Sequence, residues 1–521
     1  MRNIVMISPK FEPSFWGLEY VMPVFRKSAI MPNPALPLLA ALTPASYQVR
    51  IIDENVEEID FDSIMSADIV ALTGMIVQRK RMREILEELK KRDLFTVVGG
   101  GWITVKEDAF DPSLHDVIFV GEAEETWPRF LEDWENGRHA ERYEQESKTV
   151  MATVPTPAHN LIKMDRYLFA NLQISRGCPF NCEFCDIIVT FGRRPRVKTP
   201  EQVISELESI KARKITHVFV VDDNLIGNRK AVLPVLKELA AWQKRNNYHF
   251  SFFTEISINL SEDQEFMDLL VEANFQSVFI GIETPDDASL KEAKKMQNLN
   301  RGTSLVDRVR RIQDNGIETT CGMIVGFDND TEKTFAKLTQ FLIDARIAHA
   351  MLGMLFAIPK TPLYTRLEKE GRLDMTEDPD YGTNVIPLNM SREELTDGYI
   401  RIMKDLYSPD AFFDRVDDLY LQESFIFDRG VRRFWKGRPL TMLRQQGFNL
   451  LRSTALSISL LLRVPEYSLK LFYLKRMAGF IRKRRDPSLF LIYALKCAMH
   501  FHQYSLVRSM SVEKRRVVST F

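Results

Sequence analysis

Three cysteines fall within eight residues of one another, Cys178, Cys182 and Cys185, in the run Ser175-Arg176-Gly177-Cys178-Pro179-Phe180-Asn181-Cys182-Glu183-Phe184-Cys185. Thiolates are the soft ligands of iron–sulfur clusters, and four of them fill a 4Fe–4S site. Three at C-x-x-x-C-x-x-C spacing leave one iron open to a further ligand. A structural zinc ion wants a fourth Cys or His close by, and none follows here. Cys321 and Cys497 stand alone in apolar contexts and read as small core residues. Five cysteines in 521 residues make no disulfide framework. A reducing compartment suits both them and an oxygen-sensitive cluster.

Acidic groups recur at the ends of apolar runs: Val221-Asp222-Asp223-Asn224, Thr254-Glu255 and Gly281-Ile282-Glu283-Thr284. Two readings stand side by side, ligand binding and hydrogen bonding within the rim of a sheet. The runs that carry these groups alternate with helical patterns. Strands are expected at Leu172–Ser175, Val218–Val221, Phe250–Phe253, Val278–Gly281, Cys321–Gly326 and Met354–Ile358, with helices at Pro200–Ala212, Arg229–Arg245, Glu262–Glu272, Thr303–Gln313 and Glu332–Ala345. Six βα units without hairpin signals predict a partial parallel barrel with its chemistry at the C-terminal strand ends.

An earlier alternating series covers the first ~140 residues. Its strands are expected at Ile4–Ser8, Val49–Asp53, Ile69–Thr73, Thr96–Gly99 and Val117–Val120. Glycines follow several of them (Gly74, Gly99, Gly100, Gly101 and Gly121), where an open α/β sheet binds its ligand. The spaced Gly-x-Gly-x-x-Gly fingerprint after the first strand is missing, which argues against a dinucleotide. The segment 136–157 reads as a linker. The expected organisation is an α/β domain over 1–145, a linker over 146–165, a barrel over 166–370 and a helical basic domain over 371–521.

The net charge of -1 conceals an asymmetry. From Arg432 onward there are 19 Lys+Arg against 3 Asp+Glu. Either the basic tail meets an anionic surface or it packs on the acidic body. Its apolar runs interleaved with Lys and Arg describe an interfacial helix. A truncation after about Ser424 is expected to leave the barrel chemistry intact. The pair His500 and His502 reads as a surface pair rather than a ligand pair.

The cysteine spacing on the first barrel strand resembles the radical S-adenosylmethionine (SAM) superfamily over about Tyr167 to Leu367. That resemblance implies a 4Fe–4S cluster on Cys178, Cys182 and Cys185, with SAM on its open iron. An electron from the cluster cleaves the sulfonium to methionine and a 5′-deoxyadenosyl radical, which abstracts hydrogen from unactivated carbon. It also implies SAM contacts from Phe184, Asp222, Asp223, Asn224, Glu255, Gly281 and Glu283. The amino-terminal stretches Glu12–Gly17, Asp53-Glu54-Asn55, Thr73-Gly74-Met75, Val97–Gly100 and Gly121-Glu122 look like the cobalamin-binding domain of class B radical SAM methylases. Cobalamin contacts are then expected at Thr73, Gly74, Met75, Gln78, Gly99, Gly100, Gly121 and Glu122. Small residues there let a corrin approach the backbone. No Asp-x-His-x-x-Gly motif supplies an axial histidine, so the resemblance implies base-off cobalamin over the Thr73–Gln78 loop.

Further runs, Cys185-Asp186-Ile187, Phe191–Arg196, Asp222–Asn228 and Pro359–Leu363, resemble the group containing the hopanoid C-2 methylases. The implied activity is cobalamin-dependent methylation of an unactivated carbon, of a polycyclic or isoprenoid lipid. A non-methylating ring-forming or coupling reaction is the alternative within the class. A nucleic-acid binding or modifying protein is the alternative outside it, but no RNA-binding module is visible and no nucleic-acid partner is expected. Expected partners are a small-molecule lipid substrate, an electron donor such as flavodoxin or ferredoxin, and the membrane surface. The expected location is the cytoplasm, peripherally on the inner face of the membrane.

Overall fold

The computed structural model describes residues 1–510 except Arg301. The basic residues Lys514, Arg515 and Arg516 of the tail lie outside the described residues. The first sheet has six strands, β1 (Arg2–Ser8), β2 (Tyr47–Asp53), β3 (Ile69–Thr73), β4 (Thr96–Gly99), β5 (Val117–Val120) and β6 (Arg142–Glu144), in the order β2-β1-β3-β4-β5-β6. Every neighbouring pair is parallel. The run Ile4–Ser8 is buried throughout, as befits a sheet covered on both faces by helices. β6 falls inside the stretch read as linker. It is a three-residue edge strand with Arg142 and Glu144 exposed, so it carries almost no apolar signal.

The second sheet is the open barrel, ordered β14-β13-β12-β11-β10-β7, again all parallel. Its strands are β7 (Ala170–Leu172), β10 (His217–Val220), β11 (Ser251–Glu255), β12 (Phe275–Glu283), β13 (Glu318–Val325) and β14 (Ala350–Met354). A small antiparallel ribbon, β8 (Ser175–Arg176) with β9 (Arg196–Val197), brackets the cysteine loop. The last strand sits four residues before its expected place. Met351 to Ile358 is one apolar run, so periodicity cannot fix which half pairs with β13. Beyond Met354 the chain turns toward Asn384, whose Oδ1 accepts from the Ala357 amide at 2.8 Å.

Local chemistry sets the helices between strands. Pro200–Lys211 starts with a reciprocal cap: Gln202 N donates to the Thr199 hydroxyl and Thr199 N to the Gln202 amide oxygen. Pro200 occupies the first turn, where its missing N–H costs nothing. Val203, Leu207 and Ile210 then form the buried stripe that covers the sheet.

Among the described residues six helices follow from Arg392, ending with Pro487–Met510. Their core is continuous with that of the barrel. Leu469, Tyr473, Tyr493, Cys497 and Phe501 belong to the same core as the barrel strands, and so do Phe15, Leu18 and Val21 near the amino terminus. Part of the tail's positive charge is spent on the body: Lys496 pairs with Glu318 at 2.5 Å, and Arg476 with Asp410, Asp414 and Asp417.

His500 and His502 are fully buried, against the surface expectation. His500 Nδ1 meets the Tyr473 hydroxyl at 2.7 Å and its Nε2 the Tyr407 carbonyl at 3.1 Å. His502 Nε2 lies 2.8 Å from the Ser14 carbonyl. Burial holds their imidazoles down to about 3 and about 4, whereas an unfolded histidine titrates near 6.5. Below about pH 6.5 the unfolded chain therefore takes up protons that the native state refuses, so stability is lost as pH falls toward 4. The two groups should withdraw on the order of 5 kcal/mol by pH 4. Thermal melts from pH 7 to pH 4 should show this decline, and a His500→Gln variant should decline less steeply from a lower start.

Candidate functional site

Gly177 opens the cysteine loop with φ +97°, a conformation that favours glycine. A Cβ there would stand 3.0 Å from the Gly192 carbonyl oxygen and 3.3 Å from that of Arg194. Cys178 N donates to the same Gly192 carbonyl, so the close approach sets where the first thiol points. Further along, the Glu183 amide donates to the Ala293 carbonyl, and the Glu183 carboxylate accepts from Arg366 Nε at 2.6 Å. Arg366 in turn holds Asp328 at 2.7 Å. The loop is thus held at its start by the nearby segment 192–194 and at its end by Ala293 and Arg366, far away in sequence. A Gly177→Ala variant should incur about 1–3 kcal/mol of backbone strain, lowering the population of the competent loop about tenfold or more. Iron and sulfide content after anaerobic reconstitution should fall with it.

The three thiols share one environment. Burial raises the pKa values of Cys178 and Cys185, Asp186 raises Cys185 further, and neighbouring thiols add to both. Asn224 Nδ2 lies 3.8 Å from Cys178 Sγ, and Gln297 Nε2 lies 3.8 Å from Cys182 Sγ. Among the described residues no three His, Cys, Asp or Glu side chains converge as they would on a single ion. Three thiols on one short loop are the donor set for three corners of a cluster.

The strand-end acids separate into positioning and open groups. Asp222 is buried and accepts from Ile174 N at 2.8 Å, Ser175 N at 2.7 Å and Ser175 Oγ at 2.6 Å. It pins the strand entering the cysteine loop, and burial pushes its carboxyl up to about 7. Asp223 accepts from Gly177 N at 2.6 Å, with its carboxyl pushed by burial up to about 6. Asn224 Oδ1 holds the Ser257 amide at 3.0 Å. Glu255 is raised to about 8, first by burial and then by the charges of Asp223 and Glu283.

At the end of β12 the pairing with β13 slips between Gly281 and Glu283, and Glu283 takes a left-handed φ of 64°. Its buried carboxylate meets the partly buried Lys295 ammonium at 2.6 Å. A Cβ on Gly281 would stand 2.3 Å from Glu283 Oε1, so this pair needs the glycine. Burial works against the Lys295 ammonium, but Glu283 and the thiols of Cys182 and Cys185 outweigh it and raise its pKa. Phe184 packs against Phe327 with ring centroids 6.4 Å apart, and Lys295 Nζ sits 5.9 Å from its ring centre.

Beside the loop lies a cavity of about 500 Å³ lined by Pro179, Phe180, Asn224, Ser257 and Asn259 among others. Ser257 Oγ and Asn259 Oδ1 are buried there without a hydrogen-bond partner. Orphaned polar atoms in a cavity that Asn224 joins to the Cys178 thiol fit an amphoteric ligand bearing amino and carboxylate groups. A larger cavity of about 1110 Å³ runs between the first domain and the segment 356–384, past Trp102, Phe110 and Tyr364. None of the cysteines or strand-end acids lines it.

The first domain presents its C-terminal strand edge to the barrel. Gly100 has φ +94°, and a Cβ there would stand 2.3 Å from Thr73 Oγ1. Gly101 and Gly121 meet open space, and Met75 is 56% exposed in the adjoining loop. A Cβ on Gly99 would touch Phe119, and one on Gly74 the Met82 sulfur, so those two glycines serve packing. Gln78 is buried, bracing the loop by accepting from Met75 N and donating to the Pro9 carbonyl. His115 and His139 precede β5 and β6 and so stand at the opposite edge. An open floor without histidine fits a flat macrocycle bound without a protein axial imidazole.

Glu122 does something the sequence did not reveal. Its buried carboxylate takes Arg176 Nη1 at 2.7 Å and Arg196 Nη1 at 3.0 Å, and accepts from Thr149 N at 2.9 Å. Glu124 takes Arg176 at 2.6 Å. Arg176 immediately precedes Gly177 and Cys178, so the first domain is clamped to the root of the cysteine loop. Ser257, Asn259, Lys295 and Gln297 were likewise missed, since they lie in ordinary polar stretches whose spacing carries no signal.

The chain matches the Radical SAM superfamily over residues 172–342 and a Domain of unknown function (DUF4070) over residues 361–515. A radical SAM enzyme is the class that this fold and this loop define. Across 98% of its length the chain is 34% identical to an uncharacterized methyltransferase, sll1242, of Synechocystis sp., covering 94% of that protein. Across 80% it is 35% identical to the hopanoid C-2 methylase of Rhodopseudomonas palustris, covering 79% of it. The chain belongs to the family of radical SAM methylases that includes these two proteins. Among solved structures, the cobalamin-dependent S-adenosylmethionine radical enzyme OxsB superposes with a TM-score of 0.61 at 15% identity, over 98% of this chain and 80% of that one. The arrangement of α/β domain, open barrel and helical region is therefore a shared fold.

Proposed function

We propose that this protein is a cobalamin-dependent radical SAM methyltransferase that methylates an unactivated carbon of a polycyclic or isoprenoid lipid. The observation that carries the reading is the Glu122–Arg176 clamp. It joins the open strand edge of the first domain directly to the root of the cysteine loop, so a cofactor on one faces a cofactor on the other. Cys178, Cys182 and Cys185 would hold the 4Fe–4S cluster, and SAM would lie toward Ser257, Asn259 and the unpartnered Glu255. Thr73, Gly100 and Gly121 would floor the cobalamin. When bound, these groups supply radical generation and methyl delivery. The chain's own part is placement: Asp222 and Asp223 fix the backbone before Cys178, Lys295 neutralises Glu283 beside the thiols, and the domain clamp excludes water between the two sites. A reduced flavodoxin or ferredoxin supplies the electron, and the lipid is drawn from a membrane at whose surface the protein sits.

Anaerobic incubation with methyl-labelled SAM, a reductant and extracted polycyclic lipids should place label in a lipid product. SAM cleavage with no labelled product across such lipids would overturn the methylation reading in favour of ring formation or coupling.

A further inference from the structure

The helix Pro439–Arg463 is inside out. Its buried positions are Asn449, Ser453, Ser457 and Leu460. Its outer face carries Leu440 (84% exposed), Leu443 (71%), Leu451 (70%), Ile458 (55%) and Leu462 (75%). With Gly447 and Thr454 these occupy positions 440, 443, 447, 451, 454, 458 and 462, one continuous stripe at helical spacing. A helix of a water-facing surface shows the opposite arrangement.

The inversion is built in, because the polar face is satisfied where it is buried. Asn449 Nδ2 donates to Ser488 Oγ at 3.0 Å, Ser457 Oγ to the Ser453 carbonyl at 2.8 Å, and Ser459 Oγ to the Val24 carbonyl at 3.1 Å. Small residues on that side let the helix lie close to Pro487–Met510, as helices do when packing inside lipid. Rotating the helix to hide the leucines would set them against the Ser488 hydroxyl and the Val24 carbonyl and strip those groups of their partners.

Charge selects the occupant. No Asp or Glu occurs from Arg429 to Val464 or from Tyr467 to Arg485, while Arg438, Arg444, Arg452 and Arg463 flank the stripe. The next helix, Tyr467–Lys483, extends the face with Tyr467, Leu471 and Leu474 exposed among Lys470 and Lys475. A second copy of the chain would bring the same positive face against itself. A nucleic acid would find leucines where it needs hydrogen-bond donors. Among the described residues no helix is long and apolar enough to cross a membrane, so the surface is one that lies along a bilayer.

We propose that the outer face of Pro439–Arg463, continued by Tyr467–Lys483, is an interfacial anchor seated in the headgroup layer of an anionic phospholipid bilayer. This names a partner for the lipid-directed reading above and rests on that reading for its purpose. Full-length protein should co-sediment with vesicles containing phosphatidylglycerol and far less with phosphatidylcholine alone. The triple variant Leu443→Glu, Leu451→Glu, Leu462→Glu alters only exposed side chains. It should keep its melting temperature and its SAM cleavage while partitioning at least about tenfold more weakly. Arg452→Gln with Arg463→Gln should weaken binding to the anionic vesicles and reduce its salt dependence. Native protein that ignores both vesicles, or a triple variant that binds as well as native, would overturn the anchor. So would a native dimer that the triple variant converts to monomer without any vesicle binding. SAM cleavage reads the enzymatic proposal independently, so the two can fail separately.

Discussion

Reconstituted protein in which Cys178, Cys182 or Cys185 is replaced by Ala should lose SAM cleavage by at least about three orders of magnitude, because on the proposed assignment the cluster they hold is the electron's route to the sulfonium. The loop geometry makes the effect specific. Two of the thiols are separately placed, Cys178 by the Gly177 turn and the contact with Asn224 and Cys182 by Gln297, while Arg366 holds Glu183 between Cys182 and Cys185. Two remaining thiols cannot restore the third corner, since the loop is held at both ends. Cys321 and Cys497 supply the control. Both are fully buried in the common core, and their thiols are raised by burial rather than drawn toward a cation. Cys321→Ala and Cys497→Ala should cost about 1 kcal/mol of stability each and leave cleavage intact. Cleavage and 5′-deoxyadenosine release by a triple variant of the loop cysteines would remove the cluster assignment.

Deleting residues 487–510 should prevent the protein from folding at all, rather than leaving a competent barrel. Leu489, Tyr493, Phe501, Leu506, Val507 and Met510 are buried on that helix. At about 1.5–3 kcal/mol for each large apolar side chain, they contribute on the order of the whole net stability of a domain. Removal would also strand the buried Glu318 carboxylate, which Lys496 neutralises at 2.5 Å, at a cost of about 3–5 kcal/mol for an unpaired buried charge. Truncation after about Ser424 should behave in the same way, contrary to what the basic composition of the tail suggests. Soluble expression, circular dichroism and a cooperative melt of the truncated chain would check this. A truncated protein that melts cooperatively and still cleaves SAM would show the tail to be a separable cap after all.

Much of the architecture is local and was readable as such. The strands Ile69–Thr73, Thr96–Gly99 and Val117–Val120 and the helix Arg229–Arg245 coincide with their expected bounds, because period, caps and glycine stops are written within a few residues. The cysteine spacing belongs to the same class of signal, three ligands on one short loop needing no distant partner to be recognised. Where the local signal is weak, the reading slipped. The all-apolar run Met351–Ile358 left β14 without a register, and charged β6 passed for linker.

The roles of the strand-end acids depended on contacts between segments far apart in the chain. Sequence placed Asp222, Asp223 and Glu122 at strand ends, but their partners are Ser175, Gly177 and Arg176, brought together only by the packing of the sheets. The tail shows the same division. Its amphipathic composition and its basic excess are local and were legible. That its hydroxyls face inward and its leucines outward, that His500 and His502 are buried against Tyr407 and Ser14, and that Lys496 reaches Glu318 across 178 residues were decided by packing. A helix has two faces, and which of them is covered depends on what the rest of the chain presents to it.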